Sequence, residues 1–543
     1  MNNIEENFKF RENKSNLKIS FERIAFIFFV FFIITIIFSS KTIILGLKQE
    51  KQIITPKMKE KYRATIMDRD GNIIAKTVRV TNLGINPNEL INKDKLLISL
   101  KLIFPNKNFE RELNGNKFFY VKKKISPENL EKIKLLGEKS FREEENIARV
   151  YPNGNLFSHI LGQIDTDNNG ISGIEKSFDY ELTTSNKALK LTLDTEIQYL
   201  IREELLKFQD IFSSYGSTAI LMNINNGEIL SMVSLPDYDL NQRKKIFDKR
   251  YINRSTKGVY ELGSVFKTFT LAAGLQRNVI NENTLFENLP KKIKCAGRLI
   301  SEYDMDIPSN LTAEEILIRS GNIGSIKIAQ KVGLENFKKF LEDLDLLDKT
   351  QFDIEEVGTP IPFKWGKCKL ATSAYGHGIT TTPLQLAKAY AIITNGGYKI
   401  IPTLIKQEES LKKGLQIISK ENSKKINKIL RKIVTSEEGT ANLANINGFQ
   451  IGGKTGTAQK TIKGKYSKKK INTFASIFPI SSPKYVLIVL LDEPKLSETY
   501  IYKYNDGKER KIVGTPFNTA GWTAVEVAKN IIEKIGPILA IKY

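Results

Sequence analysis

The hydrophobic pattern begins with its most extreme segment, close to the N-terminus. Residues Ile24 to Ser40 (IAFIFFVFFIITIIFSS) carry no charge, and after Lys41 the apolar character resumes as far as Leu47. About 20 apolar residues of helix span a bilayer, so this length predicts a transmembrane anchor, which we place at residues 24–45. A cleaved signal peptide fits less well, because the run is long and no A-x-A-type cleavage site follows it.

Basic residues flank this segment on both sides, so the positive-inside rule does not decide its orientation. Those before it are Lys9, Arg11, Lys14, Lys18 and Arg23, and those after it are Lys41, Lys48, Lys51, Lys57 and Lys59. A buried core helix is the remaining alternative, and it suits so apolar a run at a chain end poorly.

Beyond the anchor, short pieces interrupted by polar turns give way to longer elements. Residues 48 to 185 alternate strand-like and helical pieces, whereas Asp194 to Phe208 has the spacing of an amphipathic helix. Two β-like runs, Thr218 to Ile224 and Ile229 to Val233, are joined by Asn225-Asn226-Gly227, which predicts a β-hairpin.

The later part of the chain predicts a sheet interrupted by helices. Val265 to Gln276 forms an apolar helix entered through Gly263, and a mainly helical stretch follows it. Further strands are predicted at Lys454 to Gln459, Asn472 to Ile477 and Tyr485 to Leu491, and a closing helix at Val525 to Ile535. This order implies an α+β domain, in which a sheet is flanked by its first and last helices and carries a helical insertion.

The charge balance is strongly basic. The 543 residues hold 83 Lys and Arg against 60 Asp and Glu, a net charge of +23. Such a balance can attract anionic lipids, cell-wall polymers or nucleic acid, but solvated lysines on every face explain it more simply. No aromatic-basic motif predicts nucleic-acid binding. Lys460 to Lys470 is set apart, because it follows a predicted strand and can line a substrate groove.

Histidine and cysteine are rare in this chain. With only His159 and His377, a histidine-based triad or a multi-histidine metal site is not expected, and no cofactor is implied. Cys295 and Cys368 can pair in an oxidising compartment, but two cysteines do not make a disulfide framework.

Three short motifs carry the chemistry. Ser264 and Lys267 form S-x-x-K, Ser320 and Asn322 form S-x-N, and Lys454 begins K-T-G, in that order along the chain. Each motif alone is weak, but the ordered set indicates an enzyme that forms a serine acyl-enzyme.

The first motif supplies a nucleophile and its base. A serine hydroxyl needs an adjacent base at neutral pH, and residues three apart share a helix face, so Lys267 can take the proton of Ser264. The lysine must then be neutral part of the time. Burial and the neighbouring charge of Lys454 both favour that neutral form.

The second motif lies where a helical run, Glu314 to Arg319, meets Gly321. A turn there presents the Ser320 hydroxyl, which can relay protons, and the Asn322 amide, which can hold a peptide group. Taken alone, the pattern fits a plain helix end at Gly321 better than a functional site.

The third motif belongs to a glycine-rich predicted strand. A substrate peptide can approach such a backbone at Gly456, and a strand N–H with that of Ser264 can form an oxyanion hole. Lys454, Thr455 and Thr457 suit a substrate carboxylate. The run Gly448 to Thr455 also matches the phosphate-loop spacing G-x-x-x-x-G-K-T. A phosphate loop must run into a helix, whereas a strand is predicted here.

With these motifs the chain resembles the class B penicillin-binding proteins, and within them the division-type enzymes. Matching segments are Arg63 to Ala75, Arg149 to Pro152, His159 to Gly162, Gly170 to Glu175, Thr382 to Gln385 and Ala520 to Thr523. The sequence departs from the family at Leu262, where proline is usual before Gly-Ser, at Ala64, where glycine is usual, and at Gly321, where Ser, Cys or Asn is common.

The resemblance implies an architecture and a location. It implies a cytoplasmic tail (residues 1–23), the anchor, an elongated pedestal or dimerisation-like domain (residues 46–185) and a transpeptidase domain (residues 186–543) with an antiparallel sheet and a helical subdomain. The protein is then a single-pass inner-membrane protein, with its catalytic domain on the periplasmic side at the division septum.

The resemblance also implies a peptidoglycan D,D-transpeptidase inhibited by β-lactams. Ser264 attacks the D-Ala–D-Ala carbonyl of a stem peptide, Lys267 is the base and Ser320 relays protons. Asn322 binds the peptide, while Lys454, Thr455, Gly456 and Thr457 form the carboxylate-binding strand. The implied partners are a polytopic glycosyltransferase and other membrane proteins of the division machinery.

Four alternatives have to be weighed. An elongation-type transpeptidase of the same class shares all three motifs. A class A β-lactamase needs a hydrolytic glutamate, and no E-x-x-L-N lies between Asn322 and Lys454. A β-lactam sensor should have more membrane spans, and a non-catalytic scaffold would have little need for all three motifs.

Overall fold

The structure is a computed structural model that describes residues 21–47, 62–242, 248–407, 414–462, 464–504 and 510–543. It divides into two units, residues 1–61 and residues 62–543. The predicted tail therefore lies outside the described residues up to position 20, as do the basic residues that follow the anchor at positions 48, 51, 57 and 59.

The first unit contains helix α1 (Phe21–Leu47). Within the described residues, its segment Arg23–Ile44 is the one helix long and apolar enough to cross a membrane. Its large apolar side chains are exposed in the chain by itself, as for Phe28 at 71%. An exposed and fully apolar helix surface of this kind is suited to a bilayer, because the hydrocarbon chains of lipid would cover its side chains in place of water.

The second unit begins with a sheet and a set of short helices. The strands are β1 (Ile66–Met67), β2 (Ile73–Ile85), β3 (Phe119–Ile125), β4 (Phe141–Val150) and β5 (Leu189–Lys190), and the helices are α2 (Lys93–Ile103), α3 (Glu110–Leu113), α4 (Pro127–Lys134), α5 (Ser158–Leu161), α6 (Gly173–Ser177) and α7 (Asp179–Thr184). The strand order is β3-β2-β1-β5, with β4 also paired to β2. A separate small core packs Leu83, Leu100 and Val121 under α2.

Three of the family-like segments meet in a buried ion-pair cluster. Glu175 accepts 2.8 Å hydrogen bonds from the Nε atoms of both Arg63 and Arg149. Arg63 also pairs with Asp179 at 2.5 Å, and the Tyr151 hydroxyl donates to Glu175 at 3.1 Å. Because a buried charge is tolerated only when it is paired, these segments hold one another in place.

The main sheet of the second unit consists of β6 (Gly216–Asn223), β7 (Ile229–Leu235), β12 (Gly452–Ile462), β13 (Lys465–Phe478) and β14 (Tyr485–Asp492). It is antiparallel, in the order β12-β13-β14-β6-β7. The hairpin predicted at residues 225–227 is confirmed, with Gly227 at φ +77° in its turn. Every residue of β7 and β14 is buried, so both faces of the sheet are covered.

Helices cover the two faces of the sheet and form a helical subdomain beside it. They are α8 (Thr195–Ile211), α9 (Lys267–Gln276), α10 (Ala313–Ile318), α11 (Asn322–Val332), α12 (Leu334–Asp343), α13 (Lys367–Ser373), α14 (Pro383–Thr394), α15 (Lys420–Thr435) and α16 (Ala524–Lys542). Helices α8 and α16 pack together on the sheet, as predicted for the first and last helices, while α14 and α15 pack on it elsewhere. Asp194 caps α8, and Thr382 with Gln385 forms a capping box on α14.

The remaining strands form three two-stranded sheets outside the main sheet. The strands are β8 (Leu285–Phe286), β9 (Lys292–Cys295), β10 (Arg298–Ser301), β11 (Leu311–Thr312), β15 (Ile501–Lys503) and β16 (Lys511–Val513). In these sheets β8 pairs with β11, β9 with β10 and β15 with β16. The helical subdomain is built around α9, whose residues from Lys267 to Leu275 are all buried. The mixed α+β architecture predicted from the sequence is confirmed.

Candidate active site

The candidate nucleophile lies in a 3-10 turn that leads into α9. Ser264 is half-buried in the turn Gly263–Phe266, and Gly263 has φ +62°. A Cβ atom on Gly263 would lie 2.8 Å from the carbonyl oxygen of Thr457 on β12. Glycine is therefore needed here both for the positive φ and for the close approach of the strand.

Lys267 begins α9 and is only 2% exposed. Its Nζ atom donates to the backbone oxygen of Ser320 and, at 3.1 Å, to the Ser320 hydroxyl. Burial lowers the pKa of Lys267 to about 7, although the negative charge of Glu302 opposes the shift. An amine with this pKa is largely neutral just above neutral pH and can accept a proton.

The S-x-N motif forms the junction of two helices. Helix α10 ends at Ile318 and α11 begins at Asn322, with Ser320 between them at φ +59°. The predicted helix end is observed here, and a second helix starts directly after it. The Asn322 side chain donates a 2.8 Å hydrogen bond to the backbone oxygen of Ser301.

Lys454 is fully buried in β12. Its Nζ atom donates to the Ser320 hydroxyl at 2.9 Å and to the backbone oxygen of Thr455 at 3.2 Å. Burial, and then repulsion from Lys267, hold the pKa of Lys454 well below its usual value. The strand continues through the motif, so the phosphate-loop alternative is excluded.

The residues after Lys454 are held by their neighbours. The Thr455 hydroxyl shares a 2.7 Å hydrogen bond with that of Thr440, and the Thr457 hydroxyl accepts one of 2.9 Å from the backbone N–H of Ala520. A Cβ atom on Gly456 would lie 2.2 Å from the backbone oxygen of Leu262. The strand therefore runs directly against the residues that precede the nucleophile.

The structure thus brings the three motifs together. Lys267 and Lys454 meet at the Ser320 hydroxyl, and Gly456 lies against the turn that carries Ser264. Asn322 lies beside them but points its amide to the hairpin formed by β9 and β10. Strand β12 pairs with β13 on one side and is an edge strand of the main sheet.

Sequence reasoning missed several residues around the site. The Tyr390 hydroxyl donates to the backbone oxygen of Val265 at 2.9 Å and shares a 2.9 Å hydrogen bond with Thr268. Gly376 has φ +81°, and a Cβ atom there would lie 2.0 Å from the backbone oxygen of Gly263. Glu302 binds the start of α11. No short motif marks these residues; the capping box that begins α14 was the nearest signal for Tyr390.

Two open points concern cysteines and lysines. Cys295 on β9 and Cys368 on α13 form a disulfide, with Cα atoms 5.6 Å apart. Lys460 pairs with Asp492 and Glu493 at 2.6 and 2.8 Å, so part of the basic segment at residues 460–470 is neutralised within the fold.

Among the described residues, no three or more His, Cys, Asp or Glu side chains are grouped to hold a metal ion.

Comparison with known proteins finds two family models that match this chain. Residues 217–516 match the penicillin-binding protein transpeptidase domain, and residues 59–204 match the penicillin-binding protein dimerisation domain. The transpeptidase match alone covers more than half of the chain, and the two matches lie in the order that the resemblance implied.

Curated relatives extend over most of the chain. A probable peptidoglycan D,D-transpeptidase FtsI of Caulobacter vibrioides is 29% identical over 89% of this chain and 82% of its own length. Stage V sporulation protein D of Bacillus subtilis is 30% identical over 80% and 75%. Peptidoglycan D,D-transpeptidase FtsI of Escherichia coli is 28% identical over 81% and 80%.

A solved structure has the same fold. Penicillin-binding protein 3 from Mycobacterium tuberculosis, crystallised with aztreonam, superposes with a TM-score of 0.67 at 20% identity, covering 89% of this chain and 97% of that one. The site geometry, the two domain matches and the relatives agree. The chain belongs to the class B penicillin-binding proteins, with a dimerisation domain followed by a transpeptidase domain.

Proposed function

We propose that this protein is a peptidoglycan D,D-transpeptidase that cross-links stem peptides in septal cell-wall synthesis. The observation that carries the proposal is the pair of buried lysines, Lys267 and Lys454, that share the hydroxyl of Ser320 beside the turn of Ser264. The relatives named peptidoglycan D,D-transpeptidase support the choice of substrate.

In the acylation step, Ser264 is the nucleophile and Lys267 its base. The Ser264 hydroxyl transfers its proton to the neutral amine of Lys267 while its oxygen attacks the carbonyl carbon of the D-Ala–D-Ala bond. As the C–N bond breaks, the terminal D-Ala amine takes up a proton that Ser320 relays from Lys267. A serine ester of the shortened stem peptide remains.

In the second step, an amine of a neighbouring stem peptide attacks the ester. It loses a proton to Lys267, a new peptide bond forms, and the Ser264 oxygen regains a proton. One peptide bond is broken and one is made, so no nucleotide, metal or other cofactor is needed for the atoms and charges to balance.

Strand β12 and Asn322 are the proposed binding surface. The terminal carboxylate of the peptide, or that of a β-lactam, approaches Lys454, Thr455 and Thr457, and Gly456 lets the peptide backbone come close to the strand edge. A bound carboxylate favours the charged form of Lys454, and so offsets the burial that lowers the pKa of this lysine. Asn322 exchanges its bond to Ser301 for the substrate amide.

Fluorescent penicillin tests the function directly. The wild-type protein should be labelled covalently, and Ser264→Ala should abolish labelling while the variant stays folded and bound to the membrane. Ser309→Ala, a change at an exposed serine in the same domain, is the matched control and should label as wild type. Labelling that persists in Ser264→Ala would refute the assignment of the nucleophile.

We further propose a single-pass inner-membrane protein with residues 46–185 and 186–543, the pedestal and transpeptidase domains, on the periplasmic side. The disulfide between Cys295 and Cys368 supports this side, because disulfides persist in oxidising compartments. Protease added to intact spheroplasts should digest the domain that carries Ser264. Protection of that domain until the membrane is opened would reverse the orientation.

The division role rests on the similarity to FtsI proteins, and it implies as partners a polytopic glycosyltransferase and membrane proteins of the division machinery. Depletion of the protein should then produce filamentous cells, and labelling of septa by fluorescent penicillin should be lost. Rounded cells that still divide would instead favour the elongation-type alternative.

A further inference from the structure

Glu302, which lies outside the three motifs, holds the start of helix α11. Its two carboxylate oxygens accept hydrogen bonds from the backbone N–H groups of Asn322 and Ile323, at 2.6 and 2.7 Å. The side chain is 7% exposed, and the two bonds bridge about 20 positions of sequence.

The sequence at this helix end explains why a distant carboxylate is used. The first backbone N–H groups of a helix need an acceptor, which the N-cap side chain usually supplies. Here the N-cap residue is Gly321, which has no side chain, and no local cap bond forms. Glu302 supplies both acceptors and places a negative charge at the positive end of the helix dipole.

The hairpin that carries Glu302 is itself held. The Asn322 side chain donates to the backbone oxygen of Ser301 at 2.8 Å, and the backbone N–H of Glu302 donates to the backbone oxygen of Lys291 at 2.9 Å. The disulfide between Cys295 and Cys368 ties the hairpin to α13. Without substrate, Ser301 holds the side chain of Asn322 and Glu302 holds its backbone; when Asn322 turns to the substrate, the backbone bond to Glu302 remains.

Glu302 also presents its charge to the base of the site. Among the described residues, two charged side chains lie near the Lys267 amine. Lys454 on β12 is linked to it through the Ser320 hydroxyl, and Glu302, directly after β10, acts on it through its negative charge. The carboxylate raises the pKa of Lys267, against the burial that lowers it. The removal of this negative charge should therefore leave Lys267 with a still lower pKa.

We propose that Glu302 is a positioning residue of the acyl-transfer site, which fixes Ser320 and Asn322 in place and presents a negative charge to Lys267. The inference rests on the proposed function, because its consequences are measured as acylation of Ser264. Glu302, in the segment directly after β10, would then take part in positioning the site although it belongs to none of the three motifs.

The test is the rate of acylation by fluorescent penicillin, measured on the full-length protein as a function of pH. Glu302→Gln keeps the size of the side chain but removes the charge and one acceptor, so the rate should fall about tenfold or more. Its acid limb, where the rate drops on acidification, should also move to lower pH. Glu302→Asp should lie between wild type and Glu302→Gln in both respects.

The control is Glu287→Gln, which makes the same charge change at an exposed glutamate of the same domain and should keep the wild-type rate and pH profile. A folded Glu302→Gln variant with a wild-type rate would overturn the proposal, and so would a slower variant whose acid limb is unmoved, because the role would then be structural only. If Glu302→Gln does not fold, the same comparison of Glu302→Asp with wild type decides. Absence of labelling in the wild type would refute the proposed function instead.

Discussion

The Nζ atom of Lys454 donates a 2.9 Å hydrogen bond to the hydroxyl oxygen of Ser320, although 134 positions separate the two residues. Lys267 donates to the same oxygen at 3.1 Å. A hydroxyl that accepts from two amines still has its own proton to donate, so this oxygen lies at the centre of a route for proton transfer. The relationship shows how three short motifs far apart in sequence lie together in the fold.

Replacement of this hydroxyl should disable proton transfer without removing the nucleophile. We expect Ser320→Ala to lower the rate of acylation by fluorescent penicillin about 100-fold or more, because a positioned proton relay contributes that much. Ser320→Thr keeps a hydroxyl and should recover part of the rate. Equal rates for Ser320→Ala and wild type would show that Ser320 carries no proton.

The acylation rate should depend on pH through Lys267. Its pKa is lowered to about 7 by burial, and the neutral amine is the base, so the rate should fall as the pH drops through about 7. Lys267→Arg keeps a positive charge at every accessible pH and should abolish labelling. The check is the rate constant from about pH 5 to about pH 9; a flat profile below pH 7 would contradict the assignment of Lys267 as the base.

Gly456 should tolerate no side chain. A Cβ atom there would lie 2.2 Å from the backbone oxygen of Leu262, so Gly456→Ala must push β12 away from the turn of Ser264. We expect a loss of about 1–3 kcal/mol in the free energy of unfolding, with a greatly reduced rate of labelling. Gly366→Ala is the control, because a Cβ atom there meets nothing within 4 Å and the backbone is extended, at φ 175° and ψ 172°.

The disulfide should stabilise the helical subdomain. It joins Cys295 to Cys368 across 73 positions, so replacement of both cysteines by serine should cost about 2–4 kcal/mol of stability. The measurement is the melting temperature of the folded protein. A thiol reductant should lower the melting temperature of wild type toward that of the double variant and leave the variant unchanged. A double variant that melts with wild type would show that the bond does not stabilise the fold.

The elements with a strong periodic pattern were predictable from the sequence. The helix at residues 194–208, the hairpin at 225–227 and the strands at 454–459 and 485–491 were predicted within a few residues of their observed bounds, whereas β13 begins at Lys465 rather than at Asn472. Helix α8 has a clear amphipathic period, and β14 is a continuous apolar run. The helices and strands of residues 62–185 were not predicted individually; among them, α3, α5, α6 and α7 have too few residues to fix a period.

The site was only partly predictable. Four residues were identified from motif order: Ser264, Lys267, Ser320 and Lys454. In the structure, Lys267 and Lys454 both donate to the hydroxyl oxygen of Ser320, and Ser264 lies in the turn that leads into α9. The second helix that begins at Asn322 was missed, because Gly321 predicts an end to α10 as well as a start to α11. Glu302 binds that start from a separate hairpin, and no local pattern reveals this contact.

By itself the sequence determined the long apolar helix near the N-terminus, the α+β class and the residue types of the three motifs, because composition, period and motif order are properties of the chain. Only the tertiary structure decided that Lys267 loses its charge near neutral pH, since burial and the opposing Glu302 come from elements distant in sequence. It likewise joined Cys295 to Cys368 and brought Gly456 against Leu262. Contacts of this kind depend on how elements pack, and packing brings together residues that no local pattern connects.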